Sequence, residues 1–133
     1  MTTAIVCGGR YYGRVPFGSP AGAAEIEKAT KERFMMRETL DHIRSARRIV
    51  KVIDGGADGA DQVAHEWAIS RTIVTVRVRA EWKRYGRRAG PIRNGRMLEM
   101  KPDLVIAFPG GAGTADMVRQ AIAAGVEVLD FRT

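Results

Sequence analysis

Cysteine is almost absent from this chain, and its scarcity narrows the chemistry at once. One Cys excludes an intramolecular disulfide, and together with two His it offers no zinc-binding spacing. No apolar run approaches the roughly 20 residues that a membrane-spanning helix needs. Met1-Thr2-Thr3 runs straight into a strand-like segment with no secretory leader, so the expected compartment is cytoplasmic and no membrane partner is expected. Aromatics make up only 7% of the residues, and there are no internal repeats or low-complexity stretches. Acidic residues are the minority, 15 against 22 Lys and Arg, leaving a formal net charge of +7.

What is present suits one globular domain. A length of 133 residues with 45% hydrophobic and 28% charged content allows a real core but not two. Arginine far outnumbers lysine. Its planar fork grips phosphate at two points, so the excess fits anionic ligands, and it fits equally a bias in genomic base composition. Arg77, Arg79, Lys83, Arg84, Arg87, Arg88, Arg93 and Arg96 crowd one segment opposed only by Glu81, a segment that would draw a polyanion or a phosphorylated small molecule.

Periodicity orders the chain into alternating strands and helices. Thr3 to Cys7 reads as a buried strand, followed by a long loop to about Ala21 and a helix from Ala23 to Arg47 with Ala29, Met36, Leu40 and Ile43 on one face. Ile49 to Ile53 is a second strand. A helix from Ala60 to Ser70 turns Ala60, Val63, Ala64, Trp67 and Ala68 inward, and Ile73 to Val76 is a third strand. A basic loop from Ala80 to Gly90 leads to a helix opened by Pro91 and running to Met100. Asp103 to Phe108, a helix to about Ala124, Gly125 as its C′ cap and a strand from Val126 to Leu129 close the chain. β-branched strands alternating with helices predict a single α/β domain, a doubly wound parallel sheet of about five strands with helices on both faces.

Three glycine turns each follow an apolar strand: Cys7-Gly8-Gly9-Arg10, Asp54-Gly55-Gly56-Ala57-Asp58-Gly59-Ala60-Asp61, and Pro109-Gly110-Gly111-Ala112-Gly113-Thr114. In a doubly wound sheet all three lie at the carboxyl edge, where the ligand crevice forms. The third turn opens a helix with no acid before Asp116, so Gly110, Gly111, Gly113 and Thr114 suit phosphate; Thr114 also suits the N-cap. The second turn, Gly55, Gly56 and Ala57 with Asp58 and Asp61, carries carboxylates that repel phosphate and accept bonds from ribose hydroxyls or a base amine. Its alternative is helix capping by Asp58, with Asp61 in the first turn. Gly8, Gly9 and Arg10 complete the crevice. Arg93 is placed to clamp phosphate and Asn94 to pair with base or ribose, or the two form a solvated basic turn. Trp82 and Tyr85 are either stacking surfaces for a purine or loop anchors. Tyr11-Tyr12 either overhangs the crevice or belongs to an ordinary loop. His42 and His65 lack partner spacing and read as structural, and Cys7 reads as a small buried hydrophobe.

Taken together, these residues resemble the SLOG superfamily, in particular its small YpsA-related members. The landmarks are Gly8-Gly9-Arg10 with Tyr12, Gly55 to Asp61, Ala64 with Trp67-Ala68, Trp82, Tyr85-Gly86-Arg87, Ala89-Gly90-Pro91 with Arg93-Asn94 and Met97, and Phe108 to Thr114. The resemblance implies a Rossmann-like, homodimeric domain that binds a nucleotide-derived ligand, as a sensor or processor, often in bacterial or phage conflict systems. AMP, ADP-ribose, an NAD-derived molecule or a cyclic nucleotide are the ligand types it brings to mind, and no metal is expected. The superfamily also holds the LONELY GUY phosphoribohydrolases, whose motif is Pro-Gly-Gly-x-Gly-Thr-x-x-Glu, with an Arg from Arg-Lys-x-x-Met. Arg93 and Met97 match the second pattern with Asn94 in place of Lys, and Met117 stands where the catalytic Glu belongs. Nucleotide binding is therefore the first expectation. N-glycosidic hydrolysis is the second, with Arg93, Asp116, Asp58 or Asp61 as candidate catalytic groups. Binding of single-stranded nucleic acid along Arg77 to Arg96 is the third.

Overall fold

The computed structural model describes residues 1–15 and 22–133. Of the loop expected after the first strand, residues 16–21 lie outside the described residues. Five strands, β1 (Thr2–Cys7), β2 (Ile49–Asp54), β3 (Val74–Arg77), β4 (Leu104–Ala107) and β5 (Glu127–Asp130), form one sheet in the order β3-β2-β1-β4-β5. Every pairing is parallel, with Ala4 opposite both Val52 and Leu104. The helices are α1 (Ala23–Arg47), α2 (Ala60–Ser70), α3 (Trp82–Tyr85), α4 (Ala89–Glu99) and α5 (Ala112–Ala123), with a 3-10 turn at Gly86–Arg88.

The winding follows from the order. The chain steps outward from β1 to β2 and β3, then returns to the other side of β1 for β4 and β5. Right-handed crossovers run in opposite senses therefore put their helices on opposite faces. The two cores record this. Ala4, Val6, Val52, Leu104 and Ile106 pack with Met36, Leu40, Val63, Ala64 and Trp67, whereas Ile5, Cys7, Ile53, Val105 and Ala107 pack with Met97, Met117, Val118 and Ala121. Successive residues of β1 and β4 alternate between the faces, as the pleat requires, and both faces are apolar because both are covered. Reversal of strand order falls between β1 and β4, which is where such folds place their ligands.

Element boundaries depart from expectation at three helix starts. The basic loop carries a helical turn, α3, and α4 begins at Ala89, so Pro91 stands third in the helix rather than first. That position tolerates Pro because the first turn's N–H groups have no intrahelical acceptor to lose. α2 is capped by Gly59 rather than Asp58, and α5 by Gly111 rather than Thr114, neither cap making a side-chain hydrogen bond. α5 thus begins earlier in its glycine turn, α2 begins at Ala60 as expected, and both leave their leading N–H groups without a side-chain cap.

Trp67 anchors the first core. It is fully buried, and its Nε1–H donates to Asp41 Oδ1 of α1 at 2.8 Å. Arg71 grips the same carboxylate through Nε and Nη2, both at 2.8 Å, and with the Trp67 bond holds Asp41 down to about 2. Trp67→Phe removes the donor and leaves a void, and is expected to lower stability by about 2 kcal/mol. Urea unfolding should report this as a lower midpoint with an unchanged slope.

Candidate functional site

Gly9 joins the three turns. Its N–H donates to the Pro109 carbonyl at 2.8 Å, and its own carbonyl accepts from the Ala60 N–H at 3.1 Å. The approach is close enough to demand glycine on both neighbouring turns. Gly59 sits at φ +73°, and a Cβ there would stand 2.5 Å from the Arg10 carbonyl carbon; one at Gly110 would stand 2.6 Å from the Gly9 nitrogen. Three separate stretches of sequence thereby become one surface at the carboxyl ends of β1, β2 and β4.

Over that surface lies a cavity of about 330 Å³. Its walls are Cys7, Gly8, Gly9 and Arg10 from the first turn; Gly55, Ala57 and Asp61 from the second; and Gly111, Ala112, Gly113 and Thr114 from the third. Trp82, Arg93, Asn94 and Met97 close it from the α3–α4 side. A more open hollow of about 890 Å³ adjoins it across Gly9, Arg10 and Gly111, between Tyr11-Tyr12 and the start of α1.

The α5 wall is cationic in character without carrying a charge. Its first-turn amides lack a side-chain cap and stand at the positive end of the helix dipole. Thr114 is buried and lines the cavity beside these amides. Beside it, Arg93 spends Nη1 on the Gly55 carbonyl at 2.9 Å and Nε on Asn94 Oδ1 at 3.1 Å. Asn94 is fully committed: its Nδ2 donates to the Gly113 carbonyl at 3.1 Å and to Asp116 Oδ2 at 3.0 Å. It holds the glycine loop against α4 and has no group left to read a base or ribose.

The candidate carboxylates part company. Asp61 lines the cavity, is 6% exposed, and accepts the Ala57 N–H at 3.1 Å. Burial pushes its carboxyl up to about 7; the Ala57 bond opposes this, Asp54 adds to it, and Arg93 opposes it. Asp58 points elsewhere, its exposed carboxylate 3.9 Å from Arg14. Asp116 is bound between α4 and α5 by Asn94 and by Gln120 at 2.7 Å, outside the cavity lining. Met117 is wholly buried in the second core, where a Glu would lack solvent. Gly56 carries the turn behind the cavity, its carbonyl taking Arg79 at 3.1 Å.

Two contributors escaped sequence reasoning. Asp54, the last residue of β2, is fully buried; its Oδ1 fixes the second turn through the Gly56 N–H at 2.7 Å and takes Arg77 Nε at 3.0 Å. Its Oδ2 and His65 Nδ1 face each other at 3.7 Å without a hydrogen bond. An acid directly before Gly55-Gly56 was the available signal for this role. Met97 supplies an apolar wall, legible only as part of a family pattern. Cys7 also lines the cavity, with burial and then Asp61 pushing its thiol up to about 12, which leaves it a neutral, unreactive wall. Among the described residues no three His, Cys, Asp or Glu side chains converge as a metal site, and no helix is long and apolar enough to cross a membrane.

The first 85 residues carry the decisive comparison. A model of the YspA, cpYpsA-related SLOG family matches residues 3–85, which include the first two glycine turns and Trp82. The chain belongs to that family. Gene 61 protein of Mycobacterium phage D29 is similar to it, 38% identical over 87 residues, spanning 60% of this chain and 70% of the phage protein. The X-ray structure of TM1055 has the same fold, with a TM-score of 0.64 at 18% identity over 96% of this chain and 72% of that one. The family match covers β1 to β3 and the first two turns. The α4 and α5 walls lie beyond residue 85, and their roles rest on geometry.

Asp61 gives the site a pH signature. Its carboxyl binds a proton more tightly in the folded chain than in the unfolded one, so its contribution to stability falls as pH rises from about 4 to about 7 and is flat above. Asp61→Asn keeps an acceptor for Ala57 without the buried charge. Its stability relative to wild type is expected to rise by about 3 kcal/mol between pH 5 and pH 8. Thermal melts of both proteins across that range check this.

Proposed function

We propose that the cavity binds a nucleotide or nucleotide-derived ligand. The observation that carries the reading is the convergence of three glycine turns on one hollow with opposite chemistry at its ends. Free amides at the start of α5, with Thr114 and Arg93, suit a phosphate; Gly110 keeps the loop's approach to Gly9 close. Asp61, away from those amides on α2, suits a ribose hydroxyl or a base amine. Gly8, Gly9 and Arg10 supply the backbone surface and an exposed cation between them. A volume of about 330 Å³ is in the range of small-ligand sites.

A second reading has one observation in its favour. Asp61 is a buried carboxyl that exchanges its proton near neutral pH, as an acid for N-glycosidic cleavage must. In that reaction the C–N bond breaks as Asp61 delivers its proton to the departing base. Water adds at the anomeric carbon and loses a proton to solvent, and the Asp61 carboxylate takes a proton back from solvent. Met117 argues against the α5-based chemistry of the phosphoribohydrolases, so a hydrolase here would work from α2. Binding of single-stranded nucleic acid is weaker still: Arg77, Arg79, Arg93 and Arg96 are hydrogen-bonded within the protein, leaving Lys83, Arg84, Arg87 and Arg88 as the cations of that segment without a hydrogen bond among the described residues.

Calorimetry against AMP, ADP-ribose, NAD and cyclic nucleotides is expected to give micromolar or tighter binding for at least one. Gly111→Asp is the sharp variant. A side chain there meets open space, and an N-cap carboxylate keeps or slightly raises the unfolding midpoint while occupying the phosphate's place. Binding lost in a protein as stable as wild type supports the site; undiminished binding, or no binding across the panel, refutes it. Release of free base from a bound monophosphate, abolished in Asp61→Asn, would establish the second reading, and a clean absence of turnover would remove it.

A further inference from the structure

Trp82 lines the cavity, yet neither the phosphate end nor Asp61 gives it a task. It opens α3 and keeps 59% of its surface exposed, while the other tryptophan, Trp67, is fully buried. The indole leans on α4 where Gly90 has no side chain, its Cη2 only 3.5 Å from the position a Cβ would take there. The remaining aromatics near the site already have cationic or stacking partners. Tyr85 lies beneath the guanidinium groups of Arg84 and Arg96, at 5.0 and 5.7 Å from its ring centroid, and Tyr11 beneath those of Arg10 and Arg14. Phe108 stacks between Tyr12 and Phe131. Among the described residues Trp82 has no stacking or cationic partner, although four exposed cations, Lys83, Arg84, Arg87 and Arg88, follow it within six positions. An indole left open on the wall of a concavity offers a large apolar face to a flat ligand.

We propose that Trp82 is the stacking platform for a nucleobase, so that the site takes a ligand carrying both a base and a phosphate. This rests on the nucleotide reading of the same cavity and adds the class of ligand. The volume of about 330 Å³ stands at the small end of ligand sites, enough for a single nucleoside phosphate. The division of labour is physical: the α5 amides hold charge, and the Trp82 face holds the π-system whatever its hydrogen-bonding edge. Selectivity among bases then falls to Asp61, the one cavity-lining carboxyl.

Two probes separate base from phosphate. AMP carries both, and ribose 5-phosphate carries the phosphate alone. Because Trp67 is buried, ligand-induced quenching of tryptophan fluorescence in the intact protein reports on Trp82. AMP is expected to quench saturably, and ribose 5-phosphate to bind by calorimetry without quenching. Trp82→Ala is expected to weaken AMP binding roughly 10-fold to 100-fold and leave ribose 5-phosphate unchanged. Trp82→Phe is expected to retain most of the AMP affinity. AMP binding unchanged in Trp82→Ala overturns the platform and leaves the phosphate site standing. Equal loss of both probes also overturns it, since the residue then supports the fold of the site. Binding of neither probe to the wild-type protein overturns the platform, while the nucleotide reading falls only if the whole calorimetric panel also fails to bind.

Discussion

One peptide unit holds the site together. The Gly9 N–H reaches the Pro109 carbonyl while the Gly9 carbonyl receives the Ala60 N–H, so a single residue ties the end of β1 to the turns that start α2 and α5. Backbone groups in direct contact leave no room for side chains between them, which is why glycine recurs at Gly59 and Gly110. The bonds are satisfied internally, so the surface is preformed. Everything that lines the cavity is referred to this junction: Asp61 through α2, Thr114 through α5, and Arg93 and Asn94 through their hold on Gly55 and Gly113.

Charge in this protein is more consumed than displayed. The basic segment suggested an electrostatic face, but half of it is anchored: Arg77 on Asp54, Arg79 on Gly56, Arg93 on Gly55 and Asn94, Arg96 on Glu81. Arginine serves here as a strut for glycine turns, its fork bridging carbonyls and carboxylates that the turns leave open. The buried Asp54, whose carboxyl burial pushes up while the Gly56 N–H and Arg77 pull it down, shows the same economy of contacts.

The carboxyl that lines the cavity does not stand where the phosphoribohydrolase pattern would put one. On α5 the position expected to carry Glu is Met117, packed in the second core, and Asp116 is spent on Asn94 and Gln120. The carboxyl that does reach the cavity belongs to α2. The cavity thus presents amides and a neutral hydroxyl from α5, and from α2 the Asp61 carboxyl that burial pushes up to about 7.

By itself the sequence determined the α/β architecture, the inward faces of α1 and α2, and the three glycine turns at one sheet edge. Strand runs, helical periodicity and glycine clusters are local signals, and parallel crossovers have one hand, so little else was possible. Only the tertiary structure decided which turn residues share a cavity. Asp58 and Asp61 are three residues apart in one turn, yet the start of α2 rotates one out to Arg14 and the other inward to burial. Asn94 read as a ligand contact because its free amide is visible in sequence and its partners, Gly113 and Asp116, are not. The uncapped starts of α2 and α5 and the uncovered face of Trp82 are likewise relations between distant segments, set by packing around Gly9 rather than by any local pattern.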